Sequence, residues 1–339
     1  MIKELWDILA GMESIPDEWG EPYFSQADYY DPYPLDKDNF HSFDGKMDER
    51  RICCVDGGNN TVYVSPNRTV HLLRVYFNLF KGKKRAEHVN PMSCFLVSKL
   101  KGEEIHSEIK LVEGDIPIEK KSYTTIRTEL DDNKLTNVGH TVRKYLEWDA
   151  ARYAVEEYLD EGDILVRDGV LQTGVEEEKI YADRLYETVE ESGVYLVGLA
   201  KTSSLRTTLG YPLLAAIQYL ARDTDHKQWY YNPIADNEHP DHKGDMYVVK
   251  YHPDSEYAFR TEFYREQDCP VEDILGHLSF QARDPIFLGY PYGLVEADQR
   301  ARVPDEEVEY LKGLSLSKMG VLTKYGARCT DAHDRLSNI

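Results

Sequence analysis

Three short apolar runs constrain the fold of this chain more than any other feature of its sequence. The runs at 52–55 (ICCV) and 164–167 (ILVR) are each followed by Asp-Gly, and the run at 194–200 (VYLVGLA) is followed by Lys201. Apolar runs of this length, bounded by glycine, are typical of strands buried on both faces of a sheet. If the strands are neighbours, two carboxylates and one ammonium emerge at one sheet edge, where they can hold a divalent metal ion against a phosphate.

The size and composition of the chain indicate a globular protein. Its 339 residues can form one large domain or two closely packed ones, and 41% of them are hydrophobic. No run approaches the about 18 apolar residues of a membrane helix, and the N-terminus has no secretory apolar segment. We therefore expect a cytoplasmic protein with no membrane association.

The charge of the chain is strongly acidic. Its 40 Lys and Arg against 61 Asp and Glu give a net charge of −21, which argues against loose electrostatic binding of nucleic acid. An enzyme with local or metal-bridged phosphate contacts is not excluded, and the acidity can equally serve solubility or a salty cytoplasm. The five cysteines include no C-x-x-C pair, so their spacing excludes zinc ribbons and disulfide frameworks.

The chain divides into an N-terminal extension, residues 1–48, that packs on the core, and one domain over residues 49–339. The extension is rich in Pro, Asp and Tyr and is predicted to be irregular. The first strand is predicted at 51–56, and residues 101–123 are charged and weakly patterned. Strand and helix alternate across 141–222, which predicts an α/β fold with a mixed, partly parallel sheet flanked by helices. The acidic stretch 236–245 is predicted to be an exposed loop.

Asp56 and Asp168 are the strongest candidates for metal ligands. Asp-Gly after a strand is usually a turn, but carboxylates at two strand ends suit magnesium or manganese. A third carboxylate is expected from a helix packed on the same edge, and Glu147 fits that position. The alternative for Glu147 is a solvated ion pair with Arg143 or Lys144. Other candidates for the third carboxylate are Glu129, Glu156 and Glu157.

Lys201, Tyr290 and Asp298 complete the candidate site. Lys201 can hold a non-bridging phosphate oxygen, unless it is an ordinary lysine at a strand end. The segment 287–298 is dense in Tyr, Pro and Gly. In it, Tyr290 is placed at a strand end, where it can touch a phosphate or stack on a base. Asp298 lies on a helix that starts near Tyr292. A packed aromatic turn with a surface Asp is the alternative for this segment.

Sequence signatures of several other enzyme classes are absent. The chain contains no P-loop, no dinucleotide-binding glycine motif, no G-x-S-x-G and no H-E-x-x-H. His226, His239 and His242 cluster loosely near a Pro- and Asp-rich stretch, which is weak support for a metal site.

Taken in order, these motifs resemble the NurA family of archaeal and bacterial DNA-end-processing nucleases. The matching elements are VDGG at 55–58, the helix with Arg143 and Glu147, VRDGVL at 166–171, GLAKTS at 198–203, and GYP with EAD between 289 and 298. The segment from Arg328 to Leu336 resembles the closing segment of the family. The resemblance extends from about residue 50 to the C-terminus.

The resemblance implies a ribonuclease H-like core, Mn²⁺ or Mg²⁺ as cofactor, a homodimer, and a hexameric HerA-type translocase ATPase as partner. It makes Asp56, Glu147 and Asp168 metal ligands, and Lys201 and Tyr290 active-site supports. The chain carries Asp298 where some members have His. An Asp cannot act as an imidazole acid or base near neutral pH. Asp298 therefore either adds a metal ligand or changes the acid–base step in which that His would act.

The function that follows from the resemblance is metal-dependent DNA cleavage. The expected enzyme is a 5′–3′ exonuclease, a single-strand endonuclease, or both, acting in DNA-end resection during double-strand break repair and homologous recombination. One alternative is a non-catalytic homologue that scaffolds or regulates the translocase. Another is a ribonuclease H-like activity on RNA or on hybrids, which a comparison of cleavage of DNA, RNA and hybrid substrates would reveal.

Overall fold

The computed structural model describes residues 2–6, 16, 18–130 and 134–318 and shows an α/β fold. Its strands, in chain order, are β1 (Pro22–Tyr23), β2 (Tyr30–Pro32), β3 (Phe40–Ser42), β4 (Arg51–Ser65), β5 (Arg68–Lys81), β6 (Lys84–Glu87), β7 (Met92–Lys101), β8 (Glu104–Glu113), β9 (Ser122–Ile126), β10 (Ile164–Asp168), β11 (Tyr195–Ala200), β12 (Arg206–Thr207), β13 (Trp229–Tyr231), β14 (Ala235–Asn237), β15 (Gly244–Lys250) and β16 (Phe259–Tyr264). The α-helices of eight residues or more within the described ranges are α1 (Val138–Tyr158), α2 (Glu176–Ser192), α3 (Leu213–Leu220), α4 (Val271–Gln281), α5 (Tyr292–Ala301) and α6 (Asp305–Lys318).

Five strands form the centre of a twelve-stranded mixed sheet. Strands β4, β5 and β7 are antiparallel neighbours, β10 lies parallel beside β4, and β11 lies parallel beside β10. Across the sheet the order is β7-β5-β4-β10-β11, so these strands, counted along the chain, stand in the order 3-2-1-4-5. This is the ribonuclease H-like arrangement, and the predicted fold class is confirmed.

The sheet extends on both sides of this centre. Strands β16, β15, β13 and β3 continue it beyond β11, and β8 and β9 continue it beyond β7. Strand β3 comes from the segment that was predicted to be irregular, and it pairs antiparallel with β13. Phe24, Tyr30 and Phe40 from the same segment are buried in a cluster with Trp229 and Met246.

Helices cover both faces of the central strands, and β4 shows why its sequence is continuously apolar. Cys53 and Val55 are buried with residues of α1 and α2 on one face. Ile52 and Cys54 are buried with residues of α4 and α5 on the other face. Because neither face of the strand meets water, no polar residue interrupts the run.

Two segments differ from the sequence prediction. Strand β4 continues to Ser65, so Asp56 lies inside a strand and not at its end; β4 stays paired with β5 beyond the point where its parallel neighbour β10 stops. Residues 101–123 contain β8 and the start of β9. In β8, Ile105 and Ile109 are buried while Glu108 and Lys110 are exposed. The many charged residues on the exposed face of this strand made its alternating pattern difficult to recognise in the sequence.

Residues 236–245 are also more ordered than predicted. The stretch includes most of β14, and His239 and His242 are buried, so the prediction of an exposed loop was wrong. The closing segment from Arg328 to Leu336 lies outside the described residues. Among the residues that are described, no helix combines the length and the apolar content needed to cross a membrane.

Candidate metal centre

The central strands bring three of the predicted site residues to one edge of the sheet. Asp168 is the last residue of β10, and Lys201 directly follows β11. Asp56 lies in β4, one residue beyond Val55, which pairs with Arg167 of β10. The predicted convergence of two carboxylates and one ammonium is therefore found in the fold, since parallel neighbours end at the same edge.

Asp298, on α5, supplies a third carboxylate at this edge. One oxygen from each of Asp56, Asp168 and Asp298, here called the triad, lies within 4.8 Å of the others. The ammonium of Lys201 lies among them, with its Nζ 2.5 Å from Asp168 Oδ2, 2.8 Å from Asp298 Oδ1 and 3.7 Å from Asp56 Oδ2. Three acidic side chains thus surround a single positive charge.

Burial of Asp56 makes the triad unfavourable without a cation. Asp56 is only 8% exposed, and burial, together with the charges of Asp168 and Glu147, raises the pKa of Asp56 to about 8. Burial opposes the charge of Lys201, but Asp168 and Asp298 outweigh it and raise the pKa of Lys201 above its ordinary value. The site therefore favours positive charge, and its hard oxygen donors fit Mg²⁺ or Mn²⁺.

Glu147 is close to the triad but is held by two arginines. It lies on α1, is 3% exposed, and accepts from Arg143 and, at 3.4 Å, from Arg167. A Cβ added at Gly57 would meet Glu147 Oε1 at 2.5 Å, which places this carboxylate against the residue after Asp56. Glu147 is not in the group of carboxylates within 4.8 Å of one another, so its role as a metal ligand stays a prediction.

The other candidates for the third carboxylate lie elsewhere. Glu156 is bound to Arg152, and Glu129 accepts from the backbone N–H of Ile126. Glu157 is exposed on α1. None of these three glutamates belongs to the cluster of carboxylates that forms the triad.

Tyr290 forms the buried wall of the site. It lies in the connection before α5, two residues ahead of the helix, and not at a strand end as predicted. Its side chain is 1% exposed, and the ring centroid lies 5.9 Å from Lys201 Nζ. Burial and the charges of Asp168 and Asp56 raise the pKa of Tyr290 well above its ordinary range. Its hydroxyl has no hydrogen-bond partner among the described residues.

Two arginines that the sequence reading did not assign to substrate line the same cavity. Arg143 and Arg302 border a cavity of about 460 Å³ that also contains the triad. Arg143 donates to the carbonyl oxygen of Gly57 at 2.8 Å, which ties α1 to β4 beside Asp56. Arg302 follows α5 four residues after Asp298, a helical spacing that could have identified it.

Arg167 is paired with Glu147 on α1. Its guanidinium contacts Glu147, lies 3.9 Å from the centroid of the Trp148 ring and donates to the carbonyl oxygen of Val170 at 3.0 Å. Successive strand residues point to opposite faces, so Arg167 turns toward α1 while Asp168 turns toward the edge cavity. Arg167 is therefore a buried partner of Glu147.

A family model matches most of this chain. The family model for the NurA domain matches residues 50–303, whereas no curated protein matches the sequence. Among solved structures, the NurA nuclease from Sulfolobus solfataricus is similar, with 14% identity, 93% of each chain covered and a TM-score of 0.49. The Argonaute of A. aeolicus has 11% identity over 76% of this chain and 29% of that chain, with a TM-score of 0.34.

A further similarity is to the C-terminal lobe of a budding yeast Argonaute, with 11% identity, 78% of this chain and 48% of that chain covered, and a TM-score of 0.32. The family model covers well over half of the sequence, including the strands that carry Asp56 and Asp168, the position of Lys201 after β11, and the helix that carries Asp298. The resemblance identified from the motifs is confirmed, and this chain belongs to the NurA domain family.

Proposed function

We propose that this chain is a manganese- or magnesium-dependent deoxyribonuclease that hydrolyses phosphodiester bonds at DNA ends or in single strands. The observation that carries the proposal is the convergence of Asp56, Asp168 and Asp298 around Lys201 at the edge of the ribonuclease H-like sheet. Membership of the NurA domain family supports it.

The triad is the set of residues that would hold the metal. A divalent ion there supplies positive charge against an anionic phosphate and promotes attack by water. Lys201, whose side chain is 37% exposed, can contact a non-bridging phosphate oxygen and offset the charge that grows in the transition state. Glu147 supports the site from α1, either as a further ligand or through the arginines it binds.

Two further side chains near the triad would assist. Tyr290, whose ring lies 5.9 Å from Lys201 Nζ, is neutral, and burial raises its pKa further, so it adds no negative charge beside the triad. Arg302 is exposed at the cavity rim and has no carboxylate within 4 Å among the described residues, so its guanidinium can pair with a flanking phosphate.

The cellular role we propose is DNA-end resection in double-strand break repair, by a cytoplasmic homodimer that works with a hexameric HerA-type translocase. Both 5′–3′ exonuclease and single-strand endonuclease activity fit a cavity that is open to solvent. A net charge of −21 suits such an enzyme, because a translocase that threads the DNA reduces the affinity that the nuclease itself needs.

The test is cleavage of end-labelled single- and double-stranded DNA with Mn²⁺ by the wild type and by Asp56→Asn. We expect products from the wild type and none from the variant. Asp38→Asn is the matched control, since Asp38 is an exposed carboxylate of the N-terminal extension. Products that persist in Asp56→Asn would contradict the assigned site. A wild type that cleaves nothing, alone or with the translocase, would favour the non-catalytic scaffold.

A further inference from the structure

A second cavity lies on the same edge of the sheet as the triad. Beyond β11, the strands β16, β15 and β13 follow in that order. Ala200 pairs with Arg260, Phe259 with Val249, and Lys250 with Trp229, so this edge runs continuously from Lys201 to the start of β13. Three strand spacings of about 4.8 Å separate β11 from β13, which is roughly 14 Å. An extended strand of nucleic acid that occupies the triad can reach this cavity.

The lining of this cavity is basic and aromatic. Its volume is about 710 Å³, and its aromatic walls are Trp19, Tyr219 and Trp229. The basic side chains that line it are Arg222, His226, Lys227 and Lys250, and Glu256 is the one acidic side chain among the described residues of the lining. In a chain with 61 acidic residues and a net charge of −21, such a concentration of basic groups indicates an anionic ligand.

Three of these basic side chains lack an acidic partner. No carboxylate of the described ranges lies within 4 Å of Arg222, Lys227 or Lys250. The neighbouring Asp223 is engaged by Lys37 at 2.8 Å. Burial lowers the pKa of Lys250, although the charge of Asp254 works in the opposite direction. These unpaired charges are free to neutralise phosphates.

The aromatic groups form a stacking platform beside the charges. The ring of Trp19 lies 5.2 Å from that of Tyr219, and the guanidinium of Arg222 lies 5.2 Å from the centroid of Tyr219. Trp19 and Tyr219 are half-buried, so they are fixed in place and still reachable. Proteins that bind single strands combine such rings, on which bases stack, with positive charge along the backbone.

A packing contact connects the cavity with the segment that precedes α5. Ser255 lines the cavity, and its side chain would be met by a Cβ added at Gly289. Gly289 precedes Tyr290, whose ring faces Lys201. The two sites are therefore joined by a packed segment, in which Ser255 contacts Gly289 and Gly289 leads into Tyr290.

We propose that this cavity is a nucleotide subsite for a single-stranded polynucleotide, with one base on the Trp19–Tyr219 platform and flanking phosphates on Arg222, Lys227 and Lys250. The assignment rests on the proposed nuclease function, because the triad supplies the other end of the path. A duplex is the less suitable ligand, since its bases are stacked on one another and cannot stack on the rings.

The experiment measures binding of a fluorescent single-stranded oligonucleotide, without divalent metal, over a range of salt concentrations. The double variant Arg222→Ala/Lys227→Ala is expected to bind about tenfold more weakly. Its negative slope of log K against log salt is expected to become shallower by about 1.4, because two phosphate contacts on a single strand are lost. Trp19→Ala is expected to lose about tenfold in affinity with an unchanged slope.

The matched control is Lys99→Ala/Lys101→Ala, which makes the same change in net charge at exposed positions of β7. Equal losses in both double variants would overturn the subsite, because net charge alone would then explain the effect. Equal losses for single strands and duplexes would also overturn it. Mn²⁺-dependent cleavage by the wild type is measured in parallel. If the wild type cleaves DNA but the subsite variants show no selective loss of binding, the subsite alone is refuted. If binding is lost selectively but the wild type cleaves nothing, alone or with the translocase, the nuclease proposal is refuted.

Discussion

At the scale of single residues, Lys201 acts as an internal counter-ion of the triad. Its ammonium contacts Asp168 and Asp298 directly and lies 3.7 Å from Asp56. Such a side chain lowers the repulsion among the three carboxylates in the metal-free protein. It should therefore stabilise the fold, and it would compete for the same oxygens with the metal ion that we propose.

Replacing Lys201 should expose this competition. Lys201→Met is expected to lower the melting temperature of the metal-free protein by a few degrees, because the triad loses its positive neighbour. Added Mn²⁺ should then raise the melting temperature more in the variant than in the wild type, while cleavage falls about 100-fold. Thermal unfolding with and without Mn²⁺ measures both effects. Equal stabilisation by Mn²⁺ in the two proteins would refute the competition.

Glu147 offers a second residue-scale prediction. Glu147→Gln leaves Arg143 and Arg167 without their buried carboxylate, which is expected to lower the free energy of unfolding by about 3 kcal/mol. Urea unfolding measures this change, and Mn²⁺ titration measures metal affinity. An affinity loss of about 10–100-fold is expected from a disturbed support of the ligands. A variant with wild-type stability would contradict the arginine contacts.

The sequence predicted some of these residue positions and missed others for a physical reason. Asp56, Asp168 and Lys201 converge because the strands that carry them are buried neighbours, and apolar runs reveal such strands. The partnership of Glu147 with Arg167 depends on which face of β10 meets α1, which one sequence does not specify. Asp298 was named as a candidate from the sequence, but its position beside Asp56 and Asp168 depends on the packing of α5, a contact between segments far apart in the chain.

At the scale of elements, the strands buried on both faces were the most predictable part of the fold. Strands with one solvated face, such as β8, were missed because charged residues on the open face mask the alternation. The short strands β1, β2 and β3 were missed because they form only by pairing with β12, β14 and β13. Elements of two or three residues depend on their partners more than on propensity.

Close contact between β11 and the turn after β10 leads to a prediction at this scale. A Cβ added at Gly198 would lie 2.7 Å from the carbonyl oxygen of Gly169 and 3.0 Å from Leu171 Cγ. Gly198→Ala should therefore push the turn away from β11, lower the free energy of unfolding by about 1–3 kcal/mol and reduce cleavage, since Asp168 directly precedes this turn.

The control for this change is Gly313→Ala in α6, where an added Cβ meets nothing within 4 Å. It should be neutral or stabilising by up to about 1 kcal/mol. Urea unfolding of both variants provides the comparison. If Gly198→Ala retains both wild-type stability and wild-type cleavage, the contact does not constrain Asp168.

His71, where β5 meets α1, predicts a pH dependence of stability. Burial lowers the pKa of His71 to about 4, while an unfolded chain has the ordinary value of about 6.5. Between these values the unfolded chain binds a proton that the folded one does not, so stability falls as pH drops from 6.5 to 4, by on the order of 3 kcal/mol. In His71→Phe, the urea concentration at the unfolding midpoint should depend less on pH between pH 4 and pH 6.5. Parallel pH curves for both proteins would refute the assignment.

At the scale of the whole molecule, the distribution of charge determines where a polynucleotide can bind, more than the net charge does. The net charge is −21, yet unpaired basic side chains are concentrated in a cavity on the edge that carries the triad. A polynucleotide is repelled by most of the surface and finds few places that attract it. Long-range repulsion of this kind restricts productive contact to strands that are guided to the edge.

This charge distribution predicts how DNA binding should vary with salt. The isolated protein should show a shallow dependence, with a slope of log K against log salt of roughly −1 to −3, since few phosphates are neutralised. In the presence of a hexameric HerA-type translocase the slope should become steeper, because the partner adds its own phosphate contacts. Fluorescence anisotropy at several salt concentrations measures both. A steep slope for the isolated protein would contradict this account.

The triad also has a consequence for the biosynthesis of the protein. Its members are drawn from residues 56, 168 and 298, so the carboxylates cannot meet until most of the chain has left the ribosome. At about 5–20 residues per second, roughly 10 to 50 seconds pass between the synthesis of the first and the last of them. During that interval the nascent chain has some of these carboxylates but not all three. The cluster is therefore complete only after residue 298 has been made and α5 has packed on the sheet.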